Sequence, residues 1–100
     1  MEIENLRRQI DFVNLQILEL LAERGTLVQK IGEIKARLGL DFYDARREAE
    51  MLANLIEANP GPYSDDAIRT IFKEIFRVSL HLQEAEVQGE AKNTSRPLQS

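Results

Sequence analysis

The strongest constraint on the fold is a series of apolar residues, spaced alternately three and four positions apart, that starts at the N-terminus. The series, which we call the seam, comprises Ile3, Leu6, Ile10, Val13, Ile17, Leu20, Leu27, Ile31, Ile34 and Leu38. This spacing is typical of one packed face of an α-helix, and Gly39 supplies a helix stop. With a rise of about 1.5 Å per residue the helix would be roughly 54 Å long, whereas a globule of about 100 residues is only about 35 Å across.

The part of this helix that extends beyond its own domain needs a cover, because so long an apolar face is not stable in water. Either the helix breaks near Gly25 or a second copy of the chain covers the face. We favour an intertwined homodimer. The break stays open as an alternative, because Gly25 and Gly32 each cost about 1 kcal/mol relative to alanine inside a helix.

Two further helices are predicted after the first. Asp44 and Ser64 are suited to cap them, because their side chains accept hydrogen bonds from the first helical turn. Between them lies a strong turn signal, Asn59-Pro60-Gly61-Pro62. The last residues are small and polar. We therefore expect an all-α, three-helix domain over residues 1–88 and a disordered tail or linker over residues 89–100.

Composition excludes several classes of function. The chain is 43% hydrophobic and 30% charged, and no apolar run approaches the roughly 18 residues that a membrane span needs. The net charge of −4 argues against general affinity for nucleic acid. With no cysteine and His81 as the only histidine, neither redox chemistry nor a metal site is expected. The first residues do not resemble a signal peptide, so we expect a cytoplasmic protein.

Two cations interrupt the apolar face of the first helix. Arg24 occupies a seam position, and neither Arg24 nor Lys35 has a carboxylate three or four residues away. The two residues lie within about 20° of one helix face and roughly 16 Å apart along the axis, so both side chains could close on one small anion. Alternatively, their stems cover apolar surface while their charged heads reach solvent or an acid on another helix.

The second helix carries arginines in its first turn, where the helix dipole disfavours cations. Arg47 and Glu48 extend the apolar stripe toward the N-terminus of the helix, so both could point inward. The alternative is a surface ion pair of Arg47 with Glu50 or Asp44.

The apolar stripe of the third helix becomes polar near its end. Ser79 and Gln83 lie four residues apart and can present a hydroxyl and an amide side by side to a ligand. A solvated Gln83 near a helix end is the alternative. Arg7 lies roughly 25 Å along the first helix from Arg24, but an antiparallel dimer could bring it to the middle of the other chain. Otherwise Arg7 forms an ordinary surface pair with Glu4 or Asp11.

Together these residues resemble the all-helical, AroQ-class chorismate mutase family. The matching stretches are Leu6-Arg7-Arg8-Gln9-Ile10, Leu21-Ala22-Glu23-Arg24, Ile31-Gly32-Glu33-Ile34-Lys35, Asp44-Ala45-Arg46-Arg47-Glu48 and Ser79-Leu80-His81-Leu82-Gln83. The phrase Phe72-Lys73-Glu74-Ile75-Phe76, followed by Gln83-Glu84, further resembles the chorismate mutase domain fused to a DAHP synthase in some bacteria.

The resemblance implies conversion of chorismate to prephenate at a site shared between two chains. Its residues would be Arg7 from the partner chain and Arg24, Lys35, Asp44, Arg47, Glu48, Ser79 and Gln83 from the first. Arg24 and Arg7 of the partner subunit would bind the substrate carboxylates, and Arg47 would add to the positive field. Lys35 and Gln83 would donate to the ether oxygen. The substrate hydroxyl would be bound by Glu48 with the backbone near Asp44, and the ring-carboxylate end would lie beside Ser79.

This implied reaction is a pericyclic rearrangement that uses no metal or cofactor. Two alternatives remain. One is an isochorismate-pyruvate lyase, an enzyme with a similar fold. The other is a helical dimer module that senses chorismate or prephenate for a fused or partner DAHP synthase.

Overall fold

The structure is a computed structural model, which describes the backbone of residues 1–92 and the side chains of residues 1–85. It consists of three helices: α1 (Glu2–Leu38), α2 (Ala45–Ala58) and α3 (Asp65–Lys92). The predicted all-α, three-helix fold is therefore confirmed. None of these helices, as far as they are described, has a stretch long and apolar enough to cross a membrane.

Helix α1 runs without a break through both of its glycines. Its 37 residues form the long dimension of the molecule, which measures 52 Å. A break near Gly25 is therefore wrong, because the modest cost of glycine in a helix does not outweigh the hydrogen bonds that a break would sacrifice. The helix ends where Gly39 adopts the left-handed conformation, with φ of 70°. There the backbone N–H of Leu40 donates to the Lys35 carbonyl at 2.8 Å.

Both predicted N-caps are confirmed. The Asp44 carboxylate accepts a hydrogen bond from the backbone N–H of Arg47 at 3.0 Å. The Ser64 hydroxyl accepts one from the backbone N–H of Ala67 at 3.1 Å. These bonds fix where α2 and α3 begin, because each satisfies a donor that the helix itself leaves unpaired.

Helix α3 continues through Lys92, past the expected domain boundary at residue 88. Residues 93–100 of the expected tail lie outside the described residues. The boundary between a domain over 1–88 and a tail over 89–100 therefore stays a prediction.

One chain encloses only a small core. Helix α3 packs against both α1 and α2, and Phe76, 4% exposed, is the most deeply buried hydrophobic side chain among the described residues. The N-terminal half of α1 leaves its seam in solvent, with Leu6 56% and Leu20 65% exposed. The radius of gyration is 16.9 Å, against about 13 Å for a compact chain of this length. The C-terminal half of α1, with α2 and α3, forms the compact part of the molecule.

Candidate active site

A cavity of about 420 Å³ lies where the three helices and the α1–α2 loop meet. Its volume is within the range of ordinary small-molecule sites. Seven of the eight predicted site residues line it: Arg24, Lys35, Asp44, Arg47, Glu48, Ser79 and Gln83. The tertiary structure thus brings together side chains from all three helices that the sequence only placed on separate faces.

Arg24 is held in the cavity wall by α3. Its Nη1 donates to the Ser79 hydroxyl at 2.7 Å, and its guanidinium carbon lies 5.5 Å from the centre of the Phe76 ring. Partial burial, and secondly the positive charge of Arg47, lower the pKa of Arg24. The environment therefore disfavours the charged guanidinium, and a bound anion would reverse that imbalance.

Ser79 orients Arg24 in the cavity wall. Its hydroxyl accepts from Arg24 and donates to the Ile75 carbonyl one turn earlier in α3, at 2.7 Å. Because both roles of the hydroxyl are engaged, Ser79 directs the guanidinium rather than presenting a free donor.

Lys35 lies at the other end of the cavity and reaches the α1–α2 loop. Its Nζ donates to the Phe42 carbonyl at 2.9 Å. An ammonium carries three N–H donors, so this bond leaves donors for a ligand. One alternative from the sequence was that the charged ends of Lys35 and Arg24 reach solvent. In the structure both charged ends donate to groups of the chain instead.

Gln83 is buried. The alternative drawn from the sequence, a solvated Gln83 near a helix end, is therefore wrong. Gln83 is 7% exposed, and its Nε2 donates to the Val28 carbonyl on α1 at 3.1 Å. A carbonyl only accepts hydrogen bonds, so this contact turns the amide nitrogen toward α1. One N–H of Gln83 then remains unassigned.

The two arginines at the start of α2 have different surroundings. Arg46 pairs with Glu50 at 3.4 Å on the surface, which is the pairing that the sequence suggested as an alternative for Arg47. Arg47 lines the cavity together with Glu48. Asp44 also lines it, but its carboxylate accepts from the backbone of α2 and so anchors this wall.

The cavity has an excess of positive charge. Three cations line it against two carboxylates. Among the residues whose side chains are described, the ion pairs lie on the surface: Met1 with Glu4, Arg46 with Glu50, Arg69 with Asp66, and Arg77 with Glu74. Within that part of the chain, Arg24, Lys35 and Arg47 have no carboxylate at ion-pair distance. Such an arrangement suits a small anion that carries its own carboxylates.

Arg7 is the predicted site residue that the structure does not bring to the cavity. It lies on the exposed N-terminal half of α1, about 25 Å along the helix from Arg24. Its place in the site therefore remains a prediction that depends on a second chain.

Some groups of the cavity escaped the sequence analysis. Phe76 could have been found from the sequence, because it lies on the same face of the third helix as Ser79 and Gln83. Its contact with Arg24 could not be inferred. The carbonyls of Val28 and Phe42 could not have been found, because every residue has a carbonyl.

The fold and the cavity define a class: an all-α, three-helix domain with a cation-lined cavity between its helices. The chain belongs to the chorismate mutase type II family, whose model matches residues 6–84.

Solved structures and curated sequences agree with this membership. A chorismate mutase structure from Thermus thermophilus (form II) is 55% identical, with a TM-score of 0.83, and the match covers 84% of this chain and 96% of that one. The bifunctional chorismate mutase/prephenate dehydratase of Aquifex aeolicus is 34% identical over 86 residues, which cover 82% of this chain and 24% of that protein.

The T-protein of Enterobacter agglomerans is 42% identical over 79 residues, which cover 78% of this chain and 21% of that protein. This chain thus spans about a quarter or less of the length of these two curated relatives.

Proposed function

We propose that this chain catalyses the rearrangement of chorismate to prephenate. The observation that carries the proposal is the cavity itself, in which Arg24, Lys35 and Arg47 face one space with no carboxylate of residues 1–85 at ion-pair distance. Chorismate is a dianion with two carboxylates, so its charge complements these cations. Membership of the chorismate mutase type II family gives the same answer independently.

The carboxylates would be bound by arginine. Arg24 takes one and Arg7 of the partner subunit takes the other, because a planar guanidinium can bind a carboxylate through two parallel hydrogen bonds. Arg47 strengthens the positive field at the cavity wall. Ser79 lies beside the ring-carboxylate end and keeps Arg24 directed into the site.

Lys35 and Gln83 would donate hydrogen bonds to the ether oxygen of the breaking C–O bond. As this bond lengthens, negative charge grows on the ether oxygen, and donors placed there stabilise the transition state more than the substrate. The Glu48 carboxylate accepts a hydrogen bond from the substrate hydroxyl, with the backbone near Asp44 beside it.

Catalysis would need neither a nucleophile nor a general base. Bonds break and form in one cyclic step, so the protein has two tasks. It holds a flexible dianion in the chair-like reactive shape, and it stabilises charge that exists only in the transition state.

A homodimer forms part of this proposal. The exposed seam of α1 gives a second copy an apolar face to cover, which accounts for a helix that extends beyond its own domain. An antiparallel partner would also bring Arg7 toward the cavity, where it would join Arg24 and Arg47.

The test is a chorismate-disappearance assay on the purified chain, with product identified and solution mass measured in parallel. Prephenate supports the mutase. Pyruvate release from isochorismate, without prephenate from chorismate, would identify the lyase instead. Ligand binding without turnover would favour the sensing module.

The neighbouring arginines of α2 provide a matched control for this assay. Arg47→Ala should lower kcat/KM about tenfold or more, because the dianionic substrate loses the attraction of, or a hydrogen bond from, a positively charged side chain in the cavity wall. Arg46→Ala removes only a surface ion pair and should leave kcat/KM nearly unchanged. Equal losses in both variants would point to the start of α2 rather than to the cavity.

A link to a DAHP synthase, as a fused or associated partner, remains a prediction. The two curated relatives above carry other names, namely chorismate mutase/prephenate dehydratase and T-protein. Co-elution of this chain with a DAHP synthase, together with a change in turnover, would support the link. A cytoplasmic location likewise stays a prediction from the sequence.

A further inference from the structure

Gly32 stands inside a helix, where glycine is an unfavourable choice. It is the buried residue of α1, midway between the two turns that carry Val28 and Lys35. Glycine is costly at such a position because it loses more backbone freedom than alanine. Gly32 is not among the residues with positive φ, which are Gly39 and Gly61. Conformational freedom therefore does not explain it.

The reason is the space that Gln83 occupies. A Cβ at position 32 would lie 3.0 Å from Cγ of Gln83 and 3.3 Å from its Cβ. Ordinary contacts between carbon atoms are about 3.5–4.0 Å. The contact is with the stem of Gln83 rather than with its tip, so any side chain at position 32 would displace the stem or move α3 away.

The position of that stem decides where the amide lies. Val28 precedes Gly32 by one turn of α1, and its carbonyl accepts from Nε2 of Gln83 at 3.1 Å. If α3 lay a few tenths of an ångström farther out, this bond would lengthen beyond its good range. The amide would then lose the contact with Val28 that sets its orientation.

We infer that Gly32 is a positioning residue for Gln83: its missing side chain lets the Gln83 stem approach α1 closely enough for the amide to bond Val28 and keep its second N–H for the cavity. The effect on turnover rests on the proposed function. The orientation of the amide does not, because it depends on contacts within the chain itself.

Gly25 is the matched control. It lies two turns earlier on the same helix, and among the described atoms a Cβ there would meet Cδ2 of Leu82 at 3.5 Å, an ordinary contact. Gly25→Ala therefore makes the same chemical change against α3 without touching Gln83.

The first experiment observes the amide directly by NMR. The side-chain amide signals of Gln83, assigned by their absence in Gln83→Ala, should be shifted and slow to exchange in the unliganded protein. Gly32→Ala should move them toward the values of an exposed glutamine, whereas Gly25→Ala should leave them in place. Unchanged Gln83 signals in Gly32→Ala would overturn the inference, whether or not the protein converts chorismate.

The second experiment tests whether Gly32 acts through Gln83. Gly32→Ala should lower kcat about tenfold or more with a smaller change in KM, because a misplaced donor chiefly affects the transition state. In the Gln83→Ala background, which lacks Cγ, the same change should cost less than about twofold. An equal loss in both backgrounds would show that Gly32 acts elsewhere.

Folding is checked by circular dichroism and thermal unfolding. If Gly32→Ala alone fails to fold, the double variant Gly32→Ala/Gln83→Ala should recover the fold, since the atom at 3.0 Å is gone. A double variant that also fails to fold would contradict the inference, because Gly32 would then serve the close approach of α1 and α3 rather than the amide side chain of Gln83.

Discussion

At the scale of single residues, Arg24 lies where its surroundings within the chain disfavour a positive charge. Its guanidinium is partly buried, it faces the positive charge of Arg47, and its hydrogen-bond partner Ser79 is neutral. Residues of this kind contribute to a site at some expense of stability.

Replacing Arg24 should therefore separate stability from function. In Arg24→Met we expect the free energy of unfolding of the unliganded protein to stay level or rise by up to about 1 kcal/mol, because an apolar side chain replaces a partly buried cation that faces another positive charge. Chorismate turnover should be lost. Thermal melts at fixed protein concentration, with Arg46→Met as control, check this. A fall in the free energy of unfolding of more than about 1 kcal/mol would instead give Arg24 a structural role.

Lys35 should affect the rate much more than the fold. Lys35→Ala removes a proposed donor to the ether oxygen, and loss of one such donor costs about 10²- to 10³-fold in kcat. The bond to the Phe42 carbonyl is lost as well, at a cost of about 1 kcal/mol of stability. Steady-state kinetics should be compared with Lys30→Ala, an exposed lysine of the same helix. Near-normal kcat would remove Lys35 from the proposed chemistry.

At the scale of helices and turns, the cavity depends on how its three helices are joined. The α1–α2 connection places Phe42 beside Lys35 and caps α2 through Asp44. The α2–α3 turn is organised by Asn59. Its side chain donates to the Tyr63 carbonyl at 2.8 Å and to Asp65 at 3.0 Å, and it accepts from the backbone N–H of Gly61 at 3.0 Å.

Asn59 should therefore matter for stability and not for turnover. Asn59→Ala removes these three hydrogen bonds, and we expect a loss of about 1–2 kcal/mol in the free energy of unfolding with kcat retained. Urea unfolding at fixed protein concentration measures the loss. Asn54→Ala, at an exposed position in the interior of α2, should have little effect on stability. If Asn59→Ala lowered kcat strongly while the stability stayed constant, the turn would contribute to the site itself.

At the scale of the whole molecule, one chain supplies a cavity but not a complete enclosure. The N-terminal half of α1 carries the exposed seam and Arg7, and both lie away from the cavity of their own chain. An isologous dimer would use the same helix twice, as a cover for the partner's seam and as the source of the partner's arginine.

Subunit mixing tests this shared site. Arg7→Ala and Arg24→Ala should each be inactive alone. After subunit exchange in an equal mixture, half of the dimers are mixed and each has one intact site, so about a quarter of the wild-type activity should return. Exchange is verified by mass spectrometry of differently tagged subunits. If the exchanged mixture stayed inactive, Arg7 would not complete the partner's site.

The sequence alone determined the three helices, the caps at Asp44 and Ser64, and the two cations that interrupt the α1 seam. Spacing and capping are local properties, so the order of residues is enough to predict them. Spacing also singled out the pairs Arg24 and Lys35, Arg47 and Glu48, and Ser79 and Gln83 as candidates for binding a ligand. Their assembly into one site, together with Asp44, was predicted only through a resemblance to a family.

Only the tertiary structure decided what those side chains contact. Ser79 as the acceptor for Arg24, and the carbonyls of Phe42 and Val28 as the acceptors for Lys35 and Gln83, could not be read from the chain. The same holds for the unbroken helix at Gly25 and the close approach of α3 at Gly32. Backbone carbonyls have no residue-specific signature, and the distance between two helices depends on side chains that are far apart in sequence.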